Sequence, residues 1–111
     1  EELRVYSQEF RRTGFQGGLN WYRCAKDSNL SARLQLFSGL TIDVPSCYIA
    51  GASDWGIYQS PGSFERMKAS ACTNLLSLHL VKGAGHWVQQ EQPEEVSALL
   101  VGFLEKMDTG R

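Results

Sequence analysis

Two short apolar runs in the second half of the chain constrain its fold more than any other feature. Pro45 leads into the run at residues 47–50, which ends at Gly51, and a proline is compatible with the first position of a strand. The second run alternates leucines with other residues, at Leu76, Leu78 and Leu80. Short runs of this kind, bounded by glycines, predict two β-strands.

Helical patterns lie between and after these two predicted strands. Ser60 and Pro61 have the composition of a helix cap and first turn, followed by apolar residues at Phe64, Met67 and Ala71. The final helix begins at Pro93 and has one broad apolar face, formed by Val96, Leu99, Leu100, Phe103 and Leu104. Strand, helix, strand and helix in this order predict two parallel, neighbouring strands.

The first part of the chain has a helical period instead. One amphipathic helix is predicted from apolar residues at helical spacing, Leu3, Tyr6 and Phe10. It should end at Gly14, where glycine readily takes a positive φ. A second helical pattern covers residues 19–37, and polar residues 26–29 are the place where it would divide in two.

These patterns predict an α/β fold with a helical part over residues 1–40 and a β-α-β-α part over residues 41–111. The length of 111 residues argues against a second complete domain. Two parallel strands cannot hide their apolar side chains from water when only one face is covered. The sequence therefore predicts the rim of an α/β sheet without its centre.

Polar residues follow the carboxyl ends of both predicted strands. Asp54 comes after the first strand and His86 after the second. Ligands bind at this edge of open α/β sheets. An aspartate bonded to a histidine fixes the tautomer of the imidazole and stabilises its protonated form, so that the histidine can act as a general base. Asp54 and His86 are therefore the predicted catalytic pair.

Each of these two residues also has a structural interpretation. An aspartate in a glycine-flanked loop more often forms a turn, and a lone histidine before a tryptophan is more often structural. Their equivalent positions favour catalysis, because the α/β-hydrolase template runs nucleophile, acid and histidine. The sequence lacks a Gly-x-Ser-x-Gly motif, and Ser63 lies between acid and histidine, the wrong place for a nucleophile.

Three segments resemble the epoxide hydrolases of the α/β-hydrolase superfamily. Residues 14–23, Gly-Phe-Gln-Gly-Gly-Leu-Asn-Trp-Tyr-Arg, look like the family's cap segment over the active site. Residues 44–54 resemble its penultimate strand and acid loop, and residues 83–96 its catalytic-histidine loop and final helix. The resemblance spans nearly the whole chain. It implies the end of a helical cap, up to residue 40, followed by the C-terminal portion of the hydrolase core.

The resemblance implies a two-step reaction without a metal or organic cofactor. In this family a nucleophilic aspartate attacks an epoxide carbon while cap tyrosines hydrogen-bond the oxygen, and a histidine-activated water then hydrolyses the ester. Carried onto this sequence, Tyr22 becomes the tyrosine donor, His86 the base and Asp54 its orienting partner. Tyr22 has a plain alternative as a packing residue. Three tryptophans are candidates for the pocket wall, with ordinary burial as their alternative: Trp21, Trp55 and Trp87.

The sequence departs from the family pattern in several parts. The nucleophile strand, the oxyanion-hole loop and a second cap tyrosine are not found in it, so the chain alone should not turn over an epoxide. We expect it to be an excerpt or processed part of a longer hydrolase, because Glu1 opens directly into a helical pattern. Alternatively, it completes its site with another polypeptide. The implied partners are an epoxide, water and the remainder of the hydrolase core, on the same or another chain.

Two other functions remain open. A haloalkane or haloacid dehalogenase uses a related site, and a halide site without epoxide turnover would favour it. A non-catalytic module could dock to another chain through the exposed edge of its sheet. A start codon near Glu1 would favour the docking module, whereas an upstream hydrolase core with an aspartate at the nucleophile elbow would favour the enzyme.

Composition narrows the class of partner and the compartment. A net charge of -1 gives no reason to expect nucleic acid or an anionic membrane. The 3 cysteines are odd in number and form no Cys-x-x-Cys pair, which speaks against a disulfide framework or a zinc site. No apolar stretch approaches the length of a membrane span, about 18 residues. We therefore expect a cytoplasmic protein.

Overall fold

Helices alone build the first of two units, Glu1–Gly39 and Leu40–Arg111, in the computed structural model. The structure describes residues 1–108. The helices of the first unit are α1 (Glu2–Thr13), α2 (Gln16–Lys26) and α3 (Ser28–Leu34), with a 3-10 turn at Gln35–Phe37. The second helical pattern of the sequence is thus divided, at the polar residues where a break was expected.

Local side-chain and backbone chemistry sets the ends of these helices. The carboxylate of Asp27 accepts hydrogen bonds from the backbone N–H groups of Asn29 and Leu30, which caps α3 and separates it from α2. Gly14 ends α1 with a φ of 68°, and its N–H donates to the carbonyl oxygen of Phe10. Helix boundaries in this unit therefore follow from sequence signals close to each end.

The first unit has little core of its own. None of residues 1–39 is buried. The rings of Phe10 and Phe15 stack at a centroid distance of 4.5 Å, which joins α1 to the start of α2. Helices as short as these gain most of their stability from packing an apolar face against other elements.

Two parallel strands form the centre of the second unit. Residues of β1 and β2 are paired in register, with Tyr48 opposite Leu78 and Gly51 opposite Val81. The parallel pairing predicted from the order of elements is confirmed. The elements of this unit are β1 (Ser46–Gly51), α4 (Ser63–Arg66) with a π-helical continuation (Met67–Ala71), β2 (Leu75–Val81), α5 (Val88–Glu91) and α6 (Pro93–Asp108).

The start of α4 differs from the sequence prediction. Ser60 and Pro61 were expected to form its cap and first turn, but the helix begins only at Ser63. Gly62 has a φ of 78°, a left-handed conformation that an α-helix cannot continue through. The glycine next to the proline, rather than the proline, therefore sets this boundary.

Four buried side chains of the second unit form a cluster where β2 leads into the final helices. Ile49 of β1 and Leu99 of α6 pack against this cluster. Its members are Val81, Ala84, Val88 and Val96. The core therefore lies directly against the segment that carries His86, and apolar burial fixes both ends of that segment.

Glycine is required at the end of β1. A Cβ placed on Gly51 would lie 2.1 Å from the carbonyl oxygen of Gly85 and 2.4 Å from that of Ala84. Contacts this short force one of the two backbone segments to move. Gly51 therefore permits the close approach of the strand end to the chain beyond β2.

We expect Gly51→Ala to lower the free energy of unfolding of the chain by about 1–3 kcal/mol or more, because the added methyl group overpacks rigid backbone. Gly102→Ala is the matched control, since a Cβ on Gly102 in α6 meets nothing within 4 Å. The control should be neutral or stabilising by up to about 1 kcal/mol, because alanine favours a helix. Urea denaturation of both variants measures the difference. Equal stability of the two variants would show that the approach at Gly51 can relax.

Candidate active site

Backbone hydrogen bonds join the two loops that follow the strands. We call residues 52–56 the acid loop and residues 82–87 the histidine loop. The N–H of Ala52 donates to the carbonyl oxygen of Val81 at 2.8 Å, and the N–H of Ser53 donates to that of Ala84 at 3.0 Å. Since these bonds continue the strand pairing, the acid loop is held against the histidine loop by main-chain groups alone.

Asp54 and His86 meet across the two loops. The distance from Oδ1 of Asp54 to Nδ1 of His86 is 3.0 Å. The carboxylate is 14% exposed and the imidazole 45% exposed, so the pair lies at the surface of the unit with its acid more covered than its base. The pairing expected from the strand ends is thus present in the structure.

Hydrogen bonds to Asp54 define the protonation of the pair. The backbone N–H of Gly56 donates to Oδ1 at 2.8 Å, and this bond, followed by the one from His86, lowers the pKa of Asp54. An ionised carboxylate only accepts hydrogen bonds, so Nδ1 of His86 carries the proton between them. The other ring nitrogen, Nε2, is then the atom that can take up a proton.

Asp54 also has the structural role that its sequence context allowed. It is the N-cap of a 3-10 turn at Trp55–Ile57, through the same bond from the N–H of Gly56. Turn formation and contact with His86 therefore use one oxygen of one side chain. The turn holds the carboxylate in place for the histidine, so the two interpretations of Asp54 are compatible.

Two tryptophan rings contact the imidazole of His86. The ring of Trp55 stacks on it with centroids 5.2 Å apart and planes 24° apart. Trp87 meets it edge-on at 5.2 Å and 73°. Both indoles are more than half exposed in this chain. They flank the imidazole at the surface of the unit.

Glu91 belongs to the surroundings of His86, and the sequence interpretation gave it no role. Its carboxylate accepts a hydrogen bond from the backbone N–H of Gly85 at 2.8 Å and another from that of Trp87 at 3.0 Å. The only signal in the sequence is an acidic residue shortly after the histidine. That signal does not reveal the contact, because it depends on the shape of the histidine loop.

Tyr22 and Trp21 lie on α2 of the first unit. Their side chains are 69% and 78% exposed. Polar neighbours in the same segment bind each other, since the side chain of Asn20 accepts hydrogen bonds from those of Gln16 and Arg23. Trp21 lines an apolar groove of about 460 Å³ within this unit, together with Cys24, Ala25, Leu30 and Leu34. The roles of Trp21 as a pocket wall and of Tyr22 as a donor stay predictions.

Ser63 is part of a local network at the start of α4. Its hydroxyl group is 2.8 Å from that of Ser60 and accepts a hydrogen bond from Arg66 at 2.8 Å. These contacts serve the helix start and involve neither Asp54 nor His86. Within residues 1–108, no three histidine, cysteine, aspartate or glutamate side chains are grouped in a way that could hold a metal ion.

Comparison with known proteins finds relatives that are named epoxide hydrolases. No family model matches the chain. "Epoxide hydrolase A" of Mycobacterium tuberculosis is 46% identical over 106 residues, which cover 94% of this chain and 31% of that protein. An "Epoxide hydrolase" of Caballeronia sordidicola is 44% identical over 101 residues, covering 90% of this chain and 30% of the relative.

Solved structures lead to the same group. The structure of potato epoxide hydrolase I matches with a TM-score of 0.79 at 32% identity, covering 95% of this chain and 33% of the potato chain. The chain thus spans about a third of the length of the relatives it matches. In sequence and in fold, this chain is homologous along nearly its whole length to the C-terminal part of the epoxide hydrolases of the α/β-hydrolase family.

Proposed function

We propose that this chain provides the acid and base half of the active site of an epoxide hydrolase, which converts an epoxide and water to a vicinal diol. The hydrogen bond between Asp54 and Nδ1 of His86 carries the proposal. That geometry lies in a chain whose relatives are named epoxide hydrolases. The complete enzyme would add the rest of the hydrolase core, including the nucleophile.

The first step of the proposed reaction opens the epoxide ring. A carboxylate from outside this chain attacks one ring carbon, the C–O bond breaks, and its electron pair moves to the oxygen. Tyr22 would donate a hydrogen bond to that oxygen. A neutral phenol suits this role, because the negative charge develops only as the C–O bond breaks. The product of this step is an ester between the nucleophile and the opened substrate.

The second step hydrolyses the ester. Nε2 of His86 takes a proton from water, and the resulting hydroxide attacks the ester carbonyl. The ester C–O bond breaks, the imidazolium gives its proton to the leaving oxygen, and the second water proton passes from the regenerated carboxylic acid to the ring-opened oxygen, so that the diol leaves and the carboxylate is restored. Asp54 stabilises the imidazolium through the bond to Nδ1. The rings of Trp55 and Trp87, which contact the imidazole, would form an apolar wall for the substrate. His86 is therefore required only after the ring has opened.

One alternative function, the partners and the location remain to be considered. The dehalogenase alternative shares the Asp–His pair, but no observation on this chain favours it. The proposed partners are an epoxide, water and the rest of the core, with no cofactor.

No helix among residues 1–108 is long and apolar enough to cross a membrane. We propose a cytoplasmic location from the free cysteines at Cys24, Cys47 and Cys72, which fit a reducing compartment.

His86→Gln in the complete enzyme should trap the ester. Ring opening should proceed at nearly the normal rate, while ester hydrolysis should slow by ~10²–10⁴, the usual contribution of a general base. Mass spectrometry after a single turnover should find the protein heavier by one substrate molecule. Steady turnover by this variant at the wild-type rate would contradict the proposed function.

Tyr22→Phe tests the tyrosine donor. We expect ring opening to slow by roughly 10-fold or more, because one donor to the developing oxyanion is lost while the aromatic ring remains. Ester hydrolysis should keep its rate. Tyr58→Phe removes a hydroxyl group from another exposed tyrosine and serves as the control. Single-turnover kinetics separates the two steps, and an unchanged ring-opening rate would leave Tyr22 as a packing residue.

A further inference from the structure

A single carboxylate binds the main chain on both sides of His86. Oε2 of Glu91 accepts a hydrogen bond from the N–H of Gly85 at 2.8 Å, and Oε1 accepts one from the N–H of Trp87 at 3.0 Å. Gly85 directly precedes the histidine and Trp87 directly follows it. Two bonds from separate oxygens of one side chain therefore fix the backbone before and after the proposed base.

Core packing fixes the histidine segment at Ala84 and Val88 but provides no buried side chain between them. Gly83 has a φ of 72°, and Gly85 has no side chain to limit its backbone. His86 and Trp87 are both exposed, so core packing does not hold them. Glu91 can hold the loop, because it ends α5, whose first residue Val88 is buried in the core. The carboxylate of Glu91 thus links the exposed part of the loop to a helix that is anchored in the core.

Helix capping explains only one of these two bonds. Trp87 is the N-cap residue of α5, and a glutamate that accepts the N–H of the cap residue resembles one half of a capping box. The bond from Gly85 lies outside the helix and contributes nothing to its cap. This second bond restrains the peptide before His86, which a purely helical role for Glu91 would leave free.

We propose that Glu91 is a positioning residue for His86, an inference that rests on the proposed function for its catalytic consequence. By holding Gly85 and Trp87, the carboxylate keeps the imidazole against Asp54 and between its two tryptophan neighbours. Glu91 touches no reacting atom in this role. A small displacement of a catalytic group can cost a factor of up to about 10² in rate, so the restraint should matter for the step that uses His86.

The test compares Glu91→Gln with Glu95→Gln in the complete enzyme. Glutamine at position 91 retains one acceptor oxygen but turns an NH₂ group towards the other backbone donor. Glu95 is an exposed glutamate in the first turn of α6, so its change removes the same charge nearby without altering the histidine loop. NMR follows hydrogen exchange at the Gly85 and Trp87 amides and the Nδ1 proton of His86. Single-turnover kinetics follows ring opening and ester hydrolysis separately.

In Glu91→Gln, we expect the backbone amide hydrogens of Gly85 and Trp87 to exchange with solvent faster. The increase should be about 10-fold if roughly 1.4 kcal/mol of local stabilisation is lost. The Nδ1 proton of His86 should also exchange faster. Ester hydrolysis should slow by about 10-fold or more with ring opening unchanged, and Glu95→Gln should match wild type in every readout. If Glu91→Gln fails to fold, Glu91→Asp, which keeps both acceptor oxygens on a shorter side chain, is measured in the same way.

Unchanged exchange at both amides, or an equal loss in both chemical steps, would overturn the inference. An equal loss would indicate general destabilisation rather than positioning of the base. The proposed function fails separately, if wild-type enzyme turns over no epoxide. In that case the exchange of the amides and of the Nδ1 proton still decides whether Glu91 holds His86.

Discussion

Backbone contact between the end of β1 and the histidine loop determines where Asp54 and His86 lie. Gly51 allows the carbonyl groups of Ala84 and Gly85 to approach it, and the N–H of Ser53 donates to one of them. These contacts are made by main-chain atoms, so the register of two parallel strands sets the separation of the loops. A side chain at Gly51 would push the two loops apart and separate Asp54 from His86.

The side chains of the site are held to this backbone by hydrogen bonds from peptide N–H groups. Asp54 accepts one from Gly56, and Glu91 accepts two from the histidine loop. Each carboxylate is thereby fixed by the main chain. Asp54 in turn restrains the imidazole of His86, and Glu91 restrains the backbone on both sides of it. The imidazole keeps an exposed surface for chemistry while losing freedom of position, which is what a general base requires.

Local patterns in the sequence were sufficient to predict the two strands, their parallel pairing and the contact between Asp54 and His86. That pairing follows once two parallel strands end at the same edge. The predicted start of α4 was wrong, because the positive φ of Gly62 prevents the helix from starting at Pro61. The contacts of Glu91 escaped sequence analysis, since they depend on the folded shape of a loop. The catalytic roles, including that of Tyr22, remain predictions.

We propose that Asp54 orients His86 and thereby keeps Nε2 available as a base. The most direct test is ¹⁵N NMR of the His86 ring near neutral pH, with Asp54→Asn for comparison. We predict that the neutral imidazole carries its proton on Nδ1 in the wild type, because an ionised carboxylate only accepts hydrogen bonds. The asparagine variant should lose this preference. A wild-type ring that carries its proton on Nε2, or a tautomer unaffected by Asp54→Asn, would show that Asp54 does not orient His86.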